Sequence, residues 1–150
     1  MAPHTRFRRR PSGHTLLEVT TALLLLTVLL GIGVQGGRTL VDRSAVASAR
    51  EALVGLVARA RVEATAGGGS VLHLRARPPG GWVEVAGDTL VRLSLVEESI
   101  ELELPGGAED WSLAFDPLGL GVVAAGTLSL RRGQAEARAV ISGYGRVRRR

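Results

Sequence analysis

The chain has 150 residues and a formal net charge of +5, from 19 basic and 14 acidic side chains, and every basic one is arginine. That length suits one domain. Residues 1–13 contain four arginines and no acid, and residues 146–150 contain four more, so residues 14–145 have 11 arginines against 14 acids and a net charge of −3. The charge distribution therefore excludes a uniformly basic, nucleic-acid-binding body.

Cysteine is absent, which excludes disulfides, cysteine-ligated zinc, iron–sulfur clusters and cysteine nucleophiles. The histidines, His4, His14 and His73, are too far apart in sequence to indicate a metal site. The glutamates at 97–98 and 101–103 are typical of the solvent-facing side of strands rather than of an acid–base pair. We therefore expect no enzymatic activity, no metal ion and no cofactor.

An uncharged stretch of 19 residues, 19–37, follows the basic amino terminus. As a helix it would be about 28 Å long, close to the thickness of a hydrocarbon core. Because arginines precede it and few charges follow, the positive-inside bias predicts a cytoplasmic amino terminus, with the remaining chain across the membrane. The sequence thus predicts a single-pass protein with a transmembrane helix at residues 14–37.

Two plainer interpretations of the amino terminus compete with a specialised anchor. A charged start, an apolar run and small residues after it are also typical of a cleaved signal peptide, with Gly33 near the cut. Thr15 and Glu18 have the spacing of a capping box at the start of an ordinary helix. Glu18 argues against the signal peptide. Placing a carboxylate inside an apolar run in hydrocarbon costs several kcal/mol, so a residue of this kind generally has a function.

The segment Gly13-His14-Thr15-Leu16-Leu17-Glu18 resembles the amino terminus of type IV pilins and type II secretion pseudopilins. In that family a prepilin peptidase cuts after a glycine that follows a short basic leader, then methylates the new amino terminus, and the fifth mature residue is glutamate. The resemblance implies a leader at 1–13, cleavage between Gly13 and His14, and methylation of His14. It also implies that the Glu18 carboxylate pairs with the amino group of a neighbouring subunit during assembly.

A helical pattern continues beyond the uncharged stretch, over residues 38–66. Its apolar positions recur at steps of three and four: Val46, Ala49, Leu53, Leu56 and Ala60. The three consecutive glycines at 67–69 predict the end of this amphipathic helix.

From residue 71 onward apolar and polar residues alternate with a period of two, which predicts about seven half-buried strands separated by glycine and proline turns. Six can be placed, at residues 71–77, 91–95, 100–104, 111–115, 127–130 and 135–142. We expect an α+β, pilin-like fold: one long amino-terminal helix, half in the membrane and half amphipathic, packed on an antiparallel β-sheet domain at residues 70–150.

Four segments of the body carry a more specific resemblance. They are Ala60-Arg61-Val62-Glu63-Ala64, Phe115-Asp116-Pro117-Leu118-Gly119, Gly126-Thr127-Leu128 and Ser142-Gly143-Tyr144-Gly145-Arg146-Val147-Arg148. Together they resemble the GspH/FimT group of minor pilin-like proteins. That implies a pseudopilin of a type II secretion system, held in the bacterial inner membrane and assembled with other pseudopilins at the pseudopilus tip.

The carboxy terminus carries a second functional prediction. In FimT-like members that serve natural transformation a G-R-x-R motif binds DNA, and Arg146 and Arg148 match its arginines. In an extended chain the two lie on one side, about 6.6 Å apart, and can reach successive phosphates, while Arg149 and Arg150 would add sequence-independent contacts. A solvated basic tail is the plain alternative. The sequence leaves a secretion pseudopilin and a DNA-binding minor type IV pilin both open.

Overall fold

The computed structural model describes residues 15–122 and 125–149, without the side chains of residues 32–36. Within them the chain forms one long helix, α1 (Leu16–Gly67), a 3-10 helix (Pro105–Gly107) and nine strands. The strands are β1 (Ser70–Arg75), β2 (Gly80–Val85), β3 (Asp88–Ser94), β4 (Glu101–Glu103), β5 (Asp110–Phe115), β6 (Gly121–Val122), β7 (Gly126–Arg132), β8 (Ala135–Ile141) and β9 (Val147–Arg149).

Both ends of α1 follow the local sequence. At its start the Thr15 hydroxyl accepts a hydrogen bond from the Glu18 amide at 3.3 Å, so Thr15 caps the first turn. At its end Gly68 adopts a φ of +79°, and the Gly69 amide donates to the Ala64 carbonyl at 2.9 Å. The helix stops at Gly67, at the glycine triplet that predicted its end.

The expected membrane half of the fold is wrong. No helix in the described part of the chain is long and apolar enough to cross a membrane. The strongly apolar run from Val19 to Leu30 covers 12 residues, about 18 Å of helix, whereas a hydrocarbon core is about 30 Å thick. Four glycines in residues 31–37 follow it and add little hydropathy. The predicted transmembrane helix at 14–37 is therefore corrected, and its first residue lies outside the described part.

The strands form two antiparallel sheets. The first sheet has the order β3-β2-β1-β5-β6, and the second has the order β4-β7-β8-β9. Residues 95–100 connect β3 of one sheet to β4 of the other, and their apolar ends Leu95 and Ile100 are buried. The class is therefore α+β, with two helices and two sheets in the described residues.

The chain divides into two compact units, with the boundary between Gly37 and Arg38. In the second unit, one buried cluster joins side chains from α1 and from both sheets. The helix contributes every residue of the predicted apolar face, and each is at most 4% exposed: Val46, Ala49, Leu53, Leu56 and Ala60. Burying a leucine of this kind stabilises the fold by about 1.5–3 kcal/mol. The 3.6-residue period thus correctly predicted which side of the helix is buried.

The six placed strands are all observed, whereas β2, β6 and β9 were missed. Residues Pro78-Pro79-Gly80-Gly81 have the composition of a turn, yet Gly80 and Gly81 begin β2. Gly80 lies so close to the Leu93 carbonyl of β3 that a side chain there would collide with it. The two glycines therefore permit a close approach of strands rather than a reversal of the chain.

Candidate functional site

The predicted processing site lies outside the described residues. This holds for the leader at 1–13, for Gly13 and His14, and also for Arg150 at the other end. Glu18 is described and lies in the first turn of α1, where its amide is capped by Thr15. The half of the predicted capping box in which the Thr15 hydroxyl accepts from the Glu18 amide is thus confirmed.

The turn that precedes β9, residues 142–146, is closed by hydrogen bonds at both of its ends. The Ser142 amide donates to the Arg146 carbonyl at 2.8 Å, and the Ser142 hydroxyl accepts from the Arg146 amide at 3.1 Å. The Gly145 amide donates to the Ser142 carbonyl at 2.8 Å. These bonds fix the direction in which the chain enters β9, and with it the placement of the arginines that follow.

Arg61, near the end of α1, contacts this turn and is hydrogen-bonded to it. Its Nη2 donates to the Tyr144 carbonyl at 3.2 Å, and its guanidinium carbon lies 6.0 Å from the centre of the Phe115 ring. Gly145 is buried against both, with a φ of +74°. The Tyr144 side chain, in contrast, is 73% exposed. The end of α1, the end of β5 and the turn at 142–146 therefore pack against one another.

The loop after β5 packs on the same arginine. The Asp116 Oδ1 accepts hydrogen bonds from the amides of Leu118 at 2.9 Å and Leu120 at 2.8 Å, which closes the loop. Gly119 lies directly against the Arg61 side chain. Three of the four segments behind the GspH/FimT resemblance thus meet around Arg61. The fourth, 126–128, lies in β7, where Gly126 pairs with Ile141.

The carboxy-terminal arginines lie in and beside the edge strand β9, with exposed side chains, so the alternative of a solvated basic surface stays open. In β9 Arg148 is opposite Val140 of β8, and Arg149 is opposite Ala139. Arg146 and Arg148 are exposed, and neither forms an ion pair within the described part of the chain. These two guanidinium groups are available to an anion.

Arg149 differs from its two neighbours because it already has a carboxylate partner. Its Nε and Nη2 donate to the two oxygens of Glu51 on α1 at 3.0 and 2.9 Å. The hydrogen bond from Arg149 lowers the pKa of Glu51, partial burial opposes this, and Arg50 adds to the lowering. Of the four arginines predicted to bind phosphate, Arg146 and Arg148 are available to an anion and Arg149 is paired with Glu51. The fourth, Arg150, lies outside the described residues.

A second cluster of functional residue types was missed by the sequence reasoning. It lies on β1, β2 and β3. The His73 ring stacks on the Trp82 ring. The Arg75 guanidinium group lies over the Trp82 ring, and Arg92 lines the cavity beside that ring. The cluster was missed because β2 was not predicted. The alternation Trp82-Val83-Glu84-Val85 was the available signal. Among the described residues, no group of three His, Asp or Glu side chains is arranged to hold a metal ion.

Comparison with known proteins returned no match to a family model, to a curated protein or to a solved structure.

Proposed function

We propose that the chain is a minor pilin-like subunit of a type II secretion pseudopilus, processed by a prepilin peptidase and assembled with other pseudopilins to support protein secretion. The observation that carries the proposal is the exposure of apolar side chains at the start of α1. Ten large ones are 46–84% exposed: Leu16, Leu17, Val19, Leu23, Leu24, Leu25, Leu26, Val28, Leu29 and Leu30. An apolar surface of this extent is typical of one that a partner covers.

The polar groups in this segment support burial against apolar neighbours. The hydroxyls of Thr20 and Thr21 both donate to the Leu17 carbonyl, at 2.9 and 2.7 Å. The Thr27 hydroxyl donates to the Leu24 carbonyl at 2.7 Å. Because these hydroxyls are satisfied within the helix, the segment can be covered by apolar side chains without leaving an unpaired donor.

Glu18 supplies the position-specific contact in this proposal. It is the only acid between residues 15 and 37. An amino terminus created at His14 of a neighbouring subunit would bring a positive charge to this carboxylate. A charge-assisted hydrogen bond between these two groups would favour the aligned arrangement of subunits.

The same proposal locates the chain at the bacterial inner membrane, where contacts with other subunits would hold it. Fractionation with and without the other pseudopilins tests this point. We expect sedimentation with the membrane in their presence, and a chain that fractionates identically without them contradicts the dependence on subunits.

Cross-linking tests the assembly itself. Because the chain has no cysteine, Leu25→Cys creates a unique attachment point for a photoreactive group, and Ser94→Cys on the exposed end of β3 is the matched control. In cells that express a type II secretion system, we expect position 25 to form adducts with pseudopilins, and Glu18→Gln to reduce them. Equal adducts from positions 25 and 94, or no pseudopilin adduct at position 25, would overturn the proposal.

A second function, a minor type IV pilin that binds DNA, is favoured by a separate observation. Arg146 and Arg148 are exposed and have no acid partner within the described residues, and the turn at 142–146 fixes their position. Guanidinium groups so placed can contact phosphates without first breaking an ion pair.

Double-stranded DNA binding at low salt tests this function. We expect Arg146→Ala with Arg148→Ala to weaken binding about tenfold or more and to reduce its salt dependence. Arg43→Ala, which removes an exposed arginine of α1 without a described ion pair, is the control. The DNA function is excluded if the unchanged chain does not bind, or if the control loses as much affinity as the double variant.

A further inference from the structure

The outer side of the first sheet carries a pair of stacked aromatic rings. His73 of β1 and Trp82 of β2 are direct cross-strand partners, with ring centres 4.9 Å apart and planes inclined by 14°. Trp82 is half-buried and stands outside the apolar core, whereas Trp111 packs against that core. In a chain in which only 3% of residues are Phe, Trp or Tyr, a tryptophan on a solvent-facing sheet needs an explanation other than core packing.

Two arginines flank this tryptophan, and their electrostatic situations differ. The guanidinium carbon of Arg75 lies 5.4 Å from the centre of the Trp82 ring, while its Nε donates to Asp110 at 2.7 Å. Asp110 thus compensates its charge. Arg92 is the direct partner of Trp82 on β3, is exposed, and has no ion pair within the described residues. The tryptophan therefore has one uncompensated positive charge at its side.

A cleft of about 370 Å³ lies next to these side chains. Its lining includes Pro78, Pro79, Trp82 and Val96, which are apolar, and the two arginines, Arg75 and Arg92. No acid among the described residues lines it. Gly80 and Gly81 contribute backbone alone. The cleft thus has an aromatic wall, Trp82, and a positively charged wall formed by the arginines. Its volume is typical of small-molecule sites.

We infer that this cleft binds a planar ring that carries one anionic group, the combination found in a nucleoside phosphate. The ring stacks on Trp82, the prolines cover its edge, and the anion pairs with Arg92. An apolar ring without charge leaves Arg92 unused, and an inorganic anion leaves the aromatic surface uncovered. The ligand is a free nucleotide or one unit of a single-stranded nucleic acid, and the site is independent of the proposed filament role.

Binding of adenosine monophosphate to the full chain, followed by tryptophan fluorescence, tests the inference. We expect saturable quenching, weaker binding of adenosine, and an affinity loss of about tenfold for Arg92→Gln. Trp82→Leu is expected to abolish the quenching, with circular dichroism as the check on folding. Arg77→Gln is the matched control, since Arg77 is exposed, lacks a described ion pair and does not line this cleft.

A short single-stranded adenine oligonucleotide distinguishes the two sources of the ligand. It is measured on the Arg146→Ala, Arg148→Ala variant, so that the carboxy-terminal arginines do not contribute. An oligonucleotide that binds more tightly than the mononucleotide, and loses affinity with Arg92→Gln, identifies a strand-binding site, and equal affinities identify a nucleotide site. Absence of binding by both probes, or equal losses for Arg92→Gln and Arg77→Gln, overturns the inference.

Discussion

Arg149 and Glu51, 98 positions apart in sequence, form a two-point ion pair at 3.0 and 2.9 Å. Arg149 belongs to β9, the last strand of the second sheet, and Glu51 belongs to α1. The pair therefore attaches the short edge strand β9 to α1. It also takes one arginine out of the set that can reach a phosphate, so Arg146 and Arg148 remain as the described candidates.

The first prediction concerns the pH dependence of stability. Because Arg149 lowers the pKa of Glu51 in the folded chain, this group stabilises the fold fully above its unfolded pKa of about 4.3. The contribution is lost as the pH falls through the lower, folded value. We expect Glu51→Gln to lower the melting temperature at neutral pH and to flatten its decline in acid. Glu97→Gln, on an exposed turn without a described ion pair, should change neither, and identical acid profiles for wild type and Glu51→Gln would contradict the role of the pair.

The second prediction concerns the turn at 142–146. In Gly145→Ala the new Cβ would lie 2.6 Å from Cε1 of Phe115 and 3.2 Å from Nη2 of Arg61, at a φ of +74°. The left-handed backbone costs about 1–2 kcal/mol and the crowding about 1–3 kcal/mol. We therefore expect a loss of about 2–5 kcal/mol in the free energy of unfolding, measured by chemical denaturation. Gly143→Ala has open space around its Cβ and should cost far less. Equal losses at the two glycines would contradict the packing of Gly145 on Arg61.

The third prediction tests which side of α1 is buried in the second unit. Leu53 is 1% exposed and Leu40 is 66% exposed, on the same helix. We expect Leu53→Ala to reduce the free energy of unfolding by about 2–5 kcal/mol, because it removes buried methyl groups and leaves a cavity. Leu40→Ala is expected to change it by less than about 0.5 kcal/mol. A reversed order of the two variants would show that the other side of the helix faces the core.

The sequence predicted those parts of the fold that local periodicity determines. The 3.6-residue repeat located the buried face of residues 46–60, and the three glycines located the helix end, because both are properties of neighbouring residues. β2 was missed because Gly80 and Gly81 have the composition of a turn, and only the carbonyl of Leu93 on another strand explains them. β9 was missed because its arginines show no apolar alternation.

The membrane helix was wrongly predicted because an uncharged stretch is not necessarily hydrophobic enough to cross a membrane. The glycines after Leu30 are uncharged but weakly hydrophobic, and they shorten the strongly apolar run to about 18 Å. For the candidate site, the sequence singled out Arg146, Arg148 and Arg149, whose role in binding stays a prediction. It could not separate them, since the partner of Arg149 comes from a distant helix, and it could not predict the cleft beside Trp82, which needs three strands in register.

The amino terminus of the mature chain tests the proposed subunit function most directly. We predict that mass spectrometry of the full chain, coexpressed with a prepilin peptidase, shows a protein that begins at His14, and that Gly13→Val leaves the leader in place. Without the peptidase the chain should remain uncut. Cleavage near Gly33, or an intact chain in the presence of an active peptidase, would contradict the account.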